Sequence, residues 1–112
     1  MAMTAYLDID QGSDFTTEIT LQNDNGTPMN LLGFSIYSQF RKSYGSTTGY
    51  AFNAQITNAV QGKFTLSLSG VASSAIKPGR YLYDVEISNA VPSKARVLEG
   101  IVTINAEITK IP

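Results

Sequence analysis

An all-β sandwich is predicted by three observations. Apolar and polar residues alternate with period two over most of the 112-residue chain, which is the pattern of half-buried strands. Gly, Pro, Asn or Asp interrupts the alternation at short, fairly regular intervals, as turns between strands do. About seven such runs fit in the chain, with only one short stretch of a different period.

The first run covers residues 6–9 and ends at Asp10-Gln11-Gly12-Ser13, a turn-forming group. From Phe15 the pattern is clean: Phe15, Thr17, Ile19 and Leu21 share one face, while Thr16, Glu18, Thr20 and Gln22 share the other. One face is therefore buried and one wet. Asn23-Asp24-Asn25-Gly26 follows, and Asn-Gly predicts a hairpin-like reversal with the positive φ values of a type I′ turn. After Pro28 and a bend at Leu31-Leu32-Gly33, Phe34, Ile36, Ser38 and Phe40 alternate with Ser35, Tyr37, Gln39 and Arg41. Residues 42–49 form the longest polar loop.

Tyr50, Phe52, Ala54 and Ile56 then share a face, and residues 58–62 turn the chain into Phe64, Leu66 and Leu68. Over residues 69–76 the spacing changes to three or four between Val71, Ala72, Ala75 and Ile76, which predicts a short helix capped by Ser69. Pro78-Gly79 ends it. Tyr81, Tyr83, Val85 and Ile87 alternate next with Leu82, Asp84, Glu86 and Ser88. The last run, about residues 96–104, has Leu98, Gly100, Val102 and Ile104 on one face but Val97 and Ile101 on the other, so it is expected to be central or covered outside. The expected core is Phe15, Ile19, Leu21, Phe34, Ile36, Phe40, Phe52, Ile56, Phe64, Leu66, Leu68, Tyr83, Val85, Leu98, Val102 and Ile104.

About seven strands with a helical turn near residues 70–76 predict a single domain over residues 1–112, an immunoglobulin-like antiparallel β-sandwich. Pro78-Gly79-Arg80-Tyr81-Leu82-Tyr83 suits the corner at which such folds tie a Tyr hydroxyl to upstream backbone, with Tyr83 where antibody domains place a Cys. The alternative is that both are ordinary half-buried strand tyrosines.

Composition removes most chemistry. Without Cys there are no disulfides, thiolate–zinc sites or thiol nucleophiles, and without His the usual general base and commonest transition-metal ligand are gone. Eight basic against nine acidic residues give a net charge of −1, which offers no field for a phosphate backbone. Nucleic acid is not an expected partner, and neither is a membrane: no stretch has the apolar length of a span, and residues 1–8 lack a basic region followed by an apolar run. No cofactor and no enzymatic activity are expected. Asp8, Asp10 and Asp14 could in principle bind calcium or act as an acid–base pair; they read better as solvated edge charges. Asn23 to Gly26 lacks the ligand spacing of a calcium loop. Among contact residues, Tyr44 with Arg41 and Lys42, and Val91-Pro92 in the connection 89–94, carry aromatic, basic and apolar groups on polar loops.

Several segments together carry a resemblance: Asp10-Gln11-Gly12-Ser13-Asp14-Phe15, residues 25–34, Arg41-Lys42-Ser43-Tyr44, residues 77–87 and residues 98–104. Across nearly the whole chain the sequence resembles a family of small virion proteins of tailed bacteriophages, and the Pro-Gly-Arg-Tyr-x-Tyr-Asp segment is its most specific part. The family is similar to the immunoglobulin-like N-terminal domain of phage baseplate upper proteins. What the resemblance implies is a virion structural protein working in many copies, as an assembly or adaptor module of tail or baseplate, with capsid decoration or neck as the alternative. Its expected partners are other virion proteins and itself. Those baseplate proteins continue into helical and fibre-like regions, whereas this sequence stops at Pro112. A carbohydrate-binding module is the alternative from another class, in which Tyr37, Tyr44 or Tyr50 stacks on host glycans; it requires a row of exposed aromatics.

Overall fold

The computed structural model describes residues 3–23, 25–43, 45–47, 49–89 and 94–108. Two sheets pack face to face around one core, the architecture the alternation predicts. The strands are β1 (Met3–Thr4), β2 (Leu7–Asp10), β3 (Phe15–Thr20), β4 (Phe34–Arg41), β5 (Gly49–Ala51), β6 (Asn53–Asn58), β7 (Lys63–Leu68), β8 (Gly79–Asn89) and β9 (Lys94–Asn105), with helix α1 (Gly70–Ser74) before β8. The larger sheet has the order β1-β9-β8-β4-β5, with β2 continuing along β9 beyond β1; the smaller is β3-β7-β6. This is an immunoglobulin-like arrangement.

Among the described residues nine strands stand against seven expected runs, because one strand precedes the first run and one run is broken. β1 lies ahead of the first run, which is expected at residues 6–9 and forms a strand only from Leu7, and the fourth run is interrupted at Phe52, where the chain leaves β4 of the larger sheet for β7 of the smaller. The sandwich is also not wholly antiparallel, since β1 and β2 run parallel to β9. That places β9 between β8 and the N-terminal strands, so its apolar residues on both faces have the central position they imply. Val97 is buried beside Leu98 for a separate reason: the β8–β9 register slips between Val85 and Glu86, and Val97 falls opposite no single partner. Such a bulge turns a side chain that alternation assigns outward into the core.

Eleven of the sixteen expected core residues are buried; Phe15, Ile19, Phe34, Ile36 and Ile56 are half-buried and pack against the rest. Phe15, Ile19 and Ile56 lie on β3 and β6, the two edges of the smaller sheet, where one flank stays open. Ile9, Leu31, Ile76, Tyr81, Ile87 and Val97 join the core in addition. Aromatic rings form its densest part: Phe40 lies 4.8 Å from Phe52, 5.3 Å from Tyr50 and 5.6 Å edge-on from Tyr81, spacings typical of favourable ring pairs.

Ser69 caps α1 as expected, its Oγ accepting the Ala72 N–H at 3.1 Å. The turn at Asn23 differs from the expected type. The reversal is present, with Gln22 bridging Pro28 and the Gly26 N–H donating to the Asn23 carbonyl at 2.9 Å. Yet Gly26 has φ +86° while Asn25 does not have a positive φ. A type I′ turn needs both, so this reversal follows the pattern of a longer loop closed by a left-handed glycine.

Candidate functional site

The alternation along β8 buries Tyr81, Tyr83, Val85 and Ile87 and turns Arg80, Leu82, Asp84 and Glu86 to the outside of the larger sheet. Register sets their neighbours. Leu82 stands between Arg41 of β4 and Ile101 of β9. The parallel ladder pairs Thr4 with Glu99 and Leu7 with Val102, which puts Tyr6 beside Ile101. One outward row therefore reads Arg41, Leu82, Ile101, Tyr6, and Tyr6 is 72% exposed. Two residues along β8 in one direction, Asp84 lies between Gln39 and Glu99; two residues in the other, Arg80 pairs with Thr103, which neighbours Asp8.

The charges on this face are unevenly shared. Arg96 Nε meets Asp84 Oδ2 at 3.1 Å and its Nη1 meets Glu99 Oε2 at 3.3 Å, so one cation serves two carboxylates. The Arg80 side chain makes no hydrogen bond or ion pair to any described residue. Shallow grooves flank the row: one of about 280 Å³ between Tyr6, Arg80 and Ile101, one of about 240 Å³ between Arg41, Leu82, Asp84 and Arg96. A third, about 420 Å³, lies beside Tyr37, Glu86, Ser88 and Lys94.

Of the residues singled out in the sequence, Arg41 is half-buried and holds its own loop, donating from Nη1 to the Ser46 carbonyl at 2.8 Å and from Nη2 to Gln39 Oε1 at 2.9 Å. Lys42 is exposed with its Nζ 4.8 Å from the centre of the Tyr81 ring, a cation–π distance. Tyr44, Val91 and Pro92 lie outside the described residues. The segments that carry them leave opposite ends of the sandwich, because Arg41 pairs with Gly49 at one end of β4 while Phe34 and Asn89 pair at the other.

Asp14 accepts the Gly70 N–H at 2.6 Å, and Asp10 accepts from Asn105 Nδ2 at 3.3 Å. Both carboxylates thus tie the β2–β3 turn to its neighbours, and among the described residues no group of three or more acidic, His or Cys side chains converges as a metal site would need. For the glycan reading, Tyr37 offers an exposed ring, 61% accessible, whereas Tyr50 is half-buried against Phe40 and Tyr81. A row of aromatics is not formed by these two.

The tyrosine corner is present: Tyr81 Oη donates to the Lys77 carbonyl at 2.5 Å. Tyr83 Oη donates to the Ala5 carbonyl at 2.8 Å. Burial pushes the Tyr83 hydroxyl up to about 12, and it raises that of Tyr81 too, with the nearby Tyr50 adding to the shift. The outward row of Tyr6, Leu82 and Ile101 was not singled out by sequence reasoning. Its one legible signal was the apolar residue on the second face of β9, and its assembly depends on a parallel pairing across ninety-five positions that local pattern does not report.

No family model matches this chain, and no curated protein matches it. Among solved structures it is similar to an internalin-like protein, lmo2027, of Listeria monocytogenes, with 16% identity and a TM-score of 0.46 over 95% of this chain and 28% of that one. It is also similar to a family 123 glycoside hydrolase from Clostridium perfringens, at 11% identity and a TM-score of 0.43 over 95% of this chain and 23% of that one. The chain thus spans about a quarter of the length of either structure.

Proposed function

We propose that this chain is a non-enzymatic structural module of a tailed-phage particle, present in many copies and holding other virion proteins through its surface. Tail or baseplate is the favoured position, with capsid decoration or neck as the alternative. The observation that carries the assembly reading is the outer face of the larger sheet: Leu82 and Ile101 side by side next to a largely exposed Tyr6, framed by charged residues. Apolar groups rimmed by polar ones on an open face are what protein contacts use. The virion assignment itself rests on the sequence segments that resemble phage structural proteins. Quantitative mass spectrometry and electron microscopy of purified particles carrying a tagged copy test it: the expected result is a fixed, multi-copy stoichiometry at one position, and absence from washed particles overturns it.

A second reading, glycan binding, is favoured by Tyr37, whose ring lines a groove with the hydrogen-bonding side chains of Gln39, Glu86 and Ser88. A glycan array separates the two readings, since an assembly module gives no signal there that Tyr37→Ala abolishes.

A further inference from the structure

We propose that the outer face of the larger sheet pairs with the same face of a second copy, about a twofold axis lying along the row Leu82, Ile101, Tyr6. The inference rests on the multi-copy reading above and names the partner of one surface. Its basis is that the face is self-complementary in charge at Arg80 and Asp84. Arg80 and Asp84 sit at equal spacing on either side of Leu82 along β8, both turned outward. A twofold rotation about an axis through Leu82 and perpendicular to the strands lays β8 antiparallel over the partner's β8. It brings Arg80 of each copy over the partner's Asp84, twice per dimer, as isologous contacts must. The same rotation stacks the apolar row on itself and, at the β4 end of the row, brings Arg41 near its counterpart, each guanidinium being held within its own copy by the Ser46 carbonyl and Gln39 Oε1.

The partners are suited to each other. Arg80 is exposed, and its side chain makes no hydrogen bond or ion pair to any described residue. Asp84 shares Arg96 with Glu99, and Glu86 projects beside Arg96 without a described partner, so this side of the row holds more negative than positive charge. Arg80 supplies what it lacks, as a guanidinium able to donate to a carboxylate that Arg96 contacts through Oδ2. The apolar row excludes water between the two ion pairs, which strengthens them relative to solvent-exposed pairs. A row of three apolar side chains is a small centre for an interface, where a stable complex buries roughly 800 Å² per partner. The dimer is accordingly weak in solution and becomes effective where many copies are held together.

The design gives a test by charge exchange. Sedimentation equilibrium on the full chain at concentrations up to roughly 200 μM, the range in which an interface this small is populated, should show a monomer–dimer equilibrium that weakens with salt. Arg80→Asp and Asp84→Arg should each weaken it by at least about tenfold, because each homodimer then sets like charges opposite one another. A mixture of the two variants should recover dimer at a ratio of one to one. At one contact the carboxylate introduced by Arg80→Asp meets the guanidinium introduced by Asp84→Arg, and at the other the two unchanged partners meet. Melting temperatures near that of the parent chain confirm that the variants are folded; if releasing Arg96 lowers that of Asp84→Arg, Ile101→Asp in the middle of the row takes its place as the disrupting variant. A parent chain that stays monomeric at the top concentration overturns the proposal, as does a mixture of folded variants that fails to dimerise. A dimer that is absent from particles leaves this pairing standing and overturns the virion reading instead; particles built from a chain monomeric in solution do the reverse.

Discussion

Gly100 shows how one residue can hold an element in place. A Cβ built there overlaps the Ala5 carbonyl oxygen and falls 3.1 Å from the Tyr83 ring. That carbonyl is turned out of the β1–β9 ladder and accepts from Tyr83 Oη, and it reaches the hydroxyl only because position 100 has no side chain. Gly100→Ala should therefore cost about 1–3 kcal/mol, the usual span of overpacking effects, in a denaturant melt; a cost under roughly 0.5 kcal/mol, the level of a neutral surface change, would show that Ala5 sits elsewhere. Tyr83 itself was legible as an inward strand residue, and the sequence Pro78-Gly79-Arg80-Tyr81 pointed to a corner that Tyr81 indeed makes. Nothing near Gly100 in sequence told of Ala5, because the contact joins positions ninety-five apart.

The same hydroxyl governs the alkaline limit. Burial holds the Tyr83 pKa at about 12 in the folded chain, above the value of about 10 in an unfolded one. The folded state keeps the proton longer, so this contribution to stability is complete below pH 10 and is lost as pH rises towards 12. Tyr81, raised in the same direction, acts likewise. Melting temperature should change little between about pH 6 and 8, since no His is present, and fall between about pH 10 and 12. Tyr83→Phe should lower stability at pH 7 by about 1 kcal/mol, the net worth of one hydrogen bond, and make the alkaline fall shallower. An unchanged alkaline slope in that variant would contradict the assignment.

At the scale of elements, α1 is short enough to depend on its attachments. Its one buried residue is Ser73, whose Oγ accepts the Gly12 N–H at 3.0 Å and lies 3.2 Å from both the Ser13 and Gly70 carbonyls. Asp14 holds the Gly70 N–H, and Gln11 Nε2 donates to the Ile76 carbonyl at 3.0 Å. A helix of five residues has little stability alone; these bonds to the β2–β3 turn fix it. Ser73→Ala should cost roughly 1–3 kcal/mol, because it leaves a Gly12 N–H without its partner, and amide exchange should quicken in residues 12 and 70–74 more than in β4 or β8. Uniform acceleration would mean that the helix is no separate unit. The helix and its Ser69 cap were legible from a local change of period, as were all seven runs. The break at Phe52 and the bulge at Val97 were not, since each answers to a partner strand.

Considered whole, the molecule presents two ends as well as two faces. β4 spans its eight residues from the end where the 89–94 connection attaches to the end where 42–48 begins, a separation of roughly 23 Å at strand rise. The sequence put Tyr44, Val91 and Pro92 forward together as contact residues, and nothing in a linear pattern could say that the segments carrying them attach at opposite ends of β4. The pairing matters for assembly, because contacts at opposite ends of one copy engage different neighbours. Replacements in segments attached this far apart are expected to act independently to within about 0.5 kcal/mol. If both segments hold the protein in particles, Tyr44→Ala and a Val91→Ser, Pro92→Ser double replacement should each lower incorporation while leaving the melting temperature of the isolated chain nearly unchanged. The triple variant should then lower incorporation by the product of the two factors. Quantitative mass spectrometry of particles assembled with each variant against an internal parent standard measures all three ratios. A triple variant no worse than the weaker of the two would place both segments in one contact and contradict the independence expected from attachment at opposite ends of β4. Full incorporation of every variant would leave the two ends without a role and shift assembly to the face that carries Tyr6, Leu82 and Ile101.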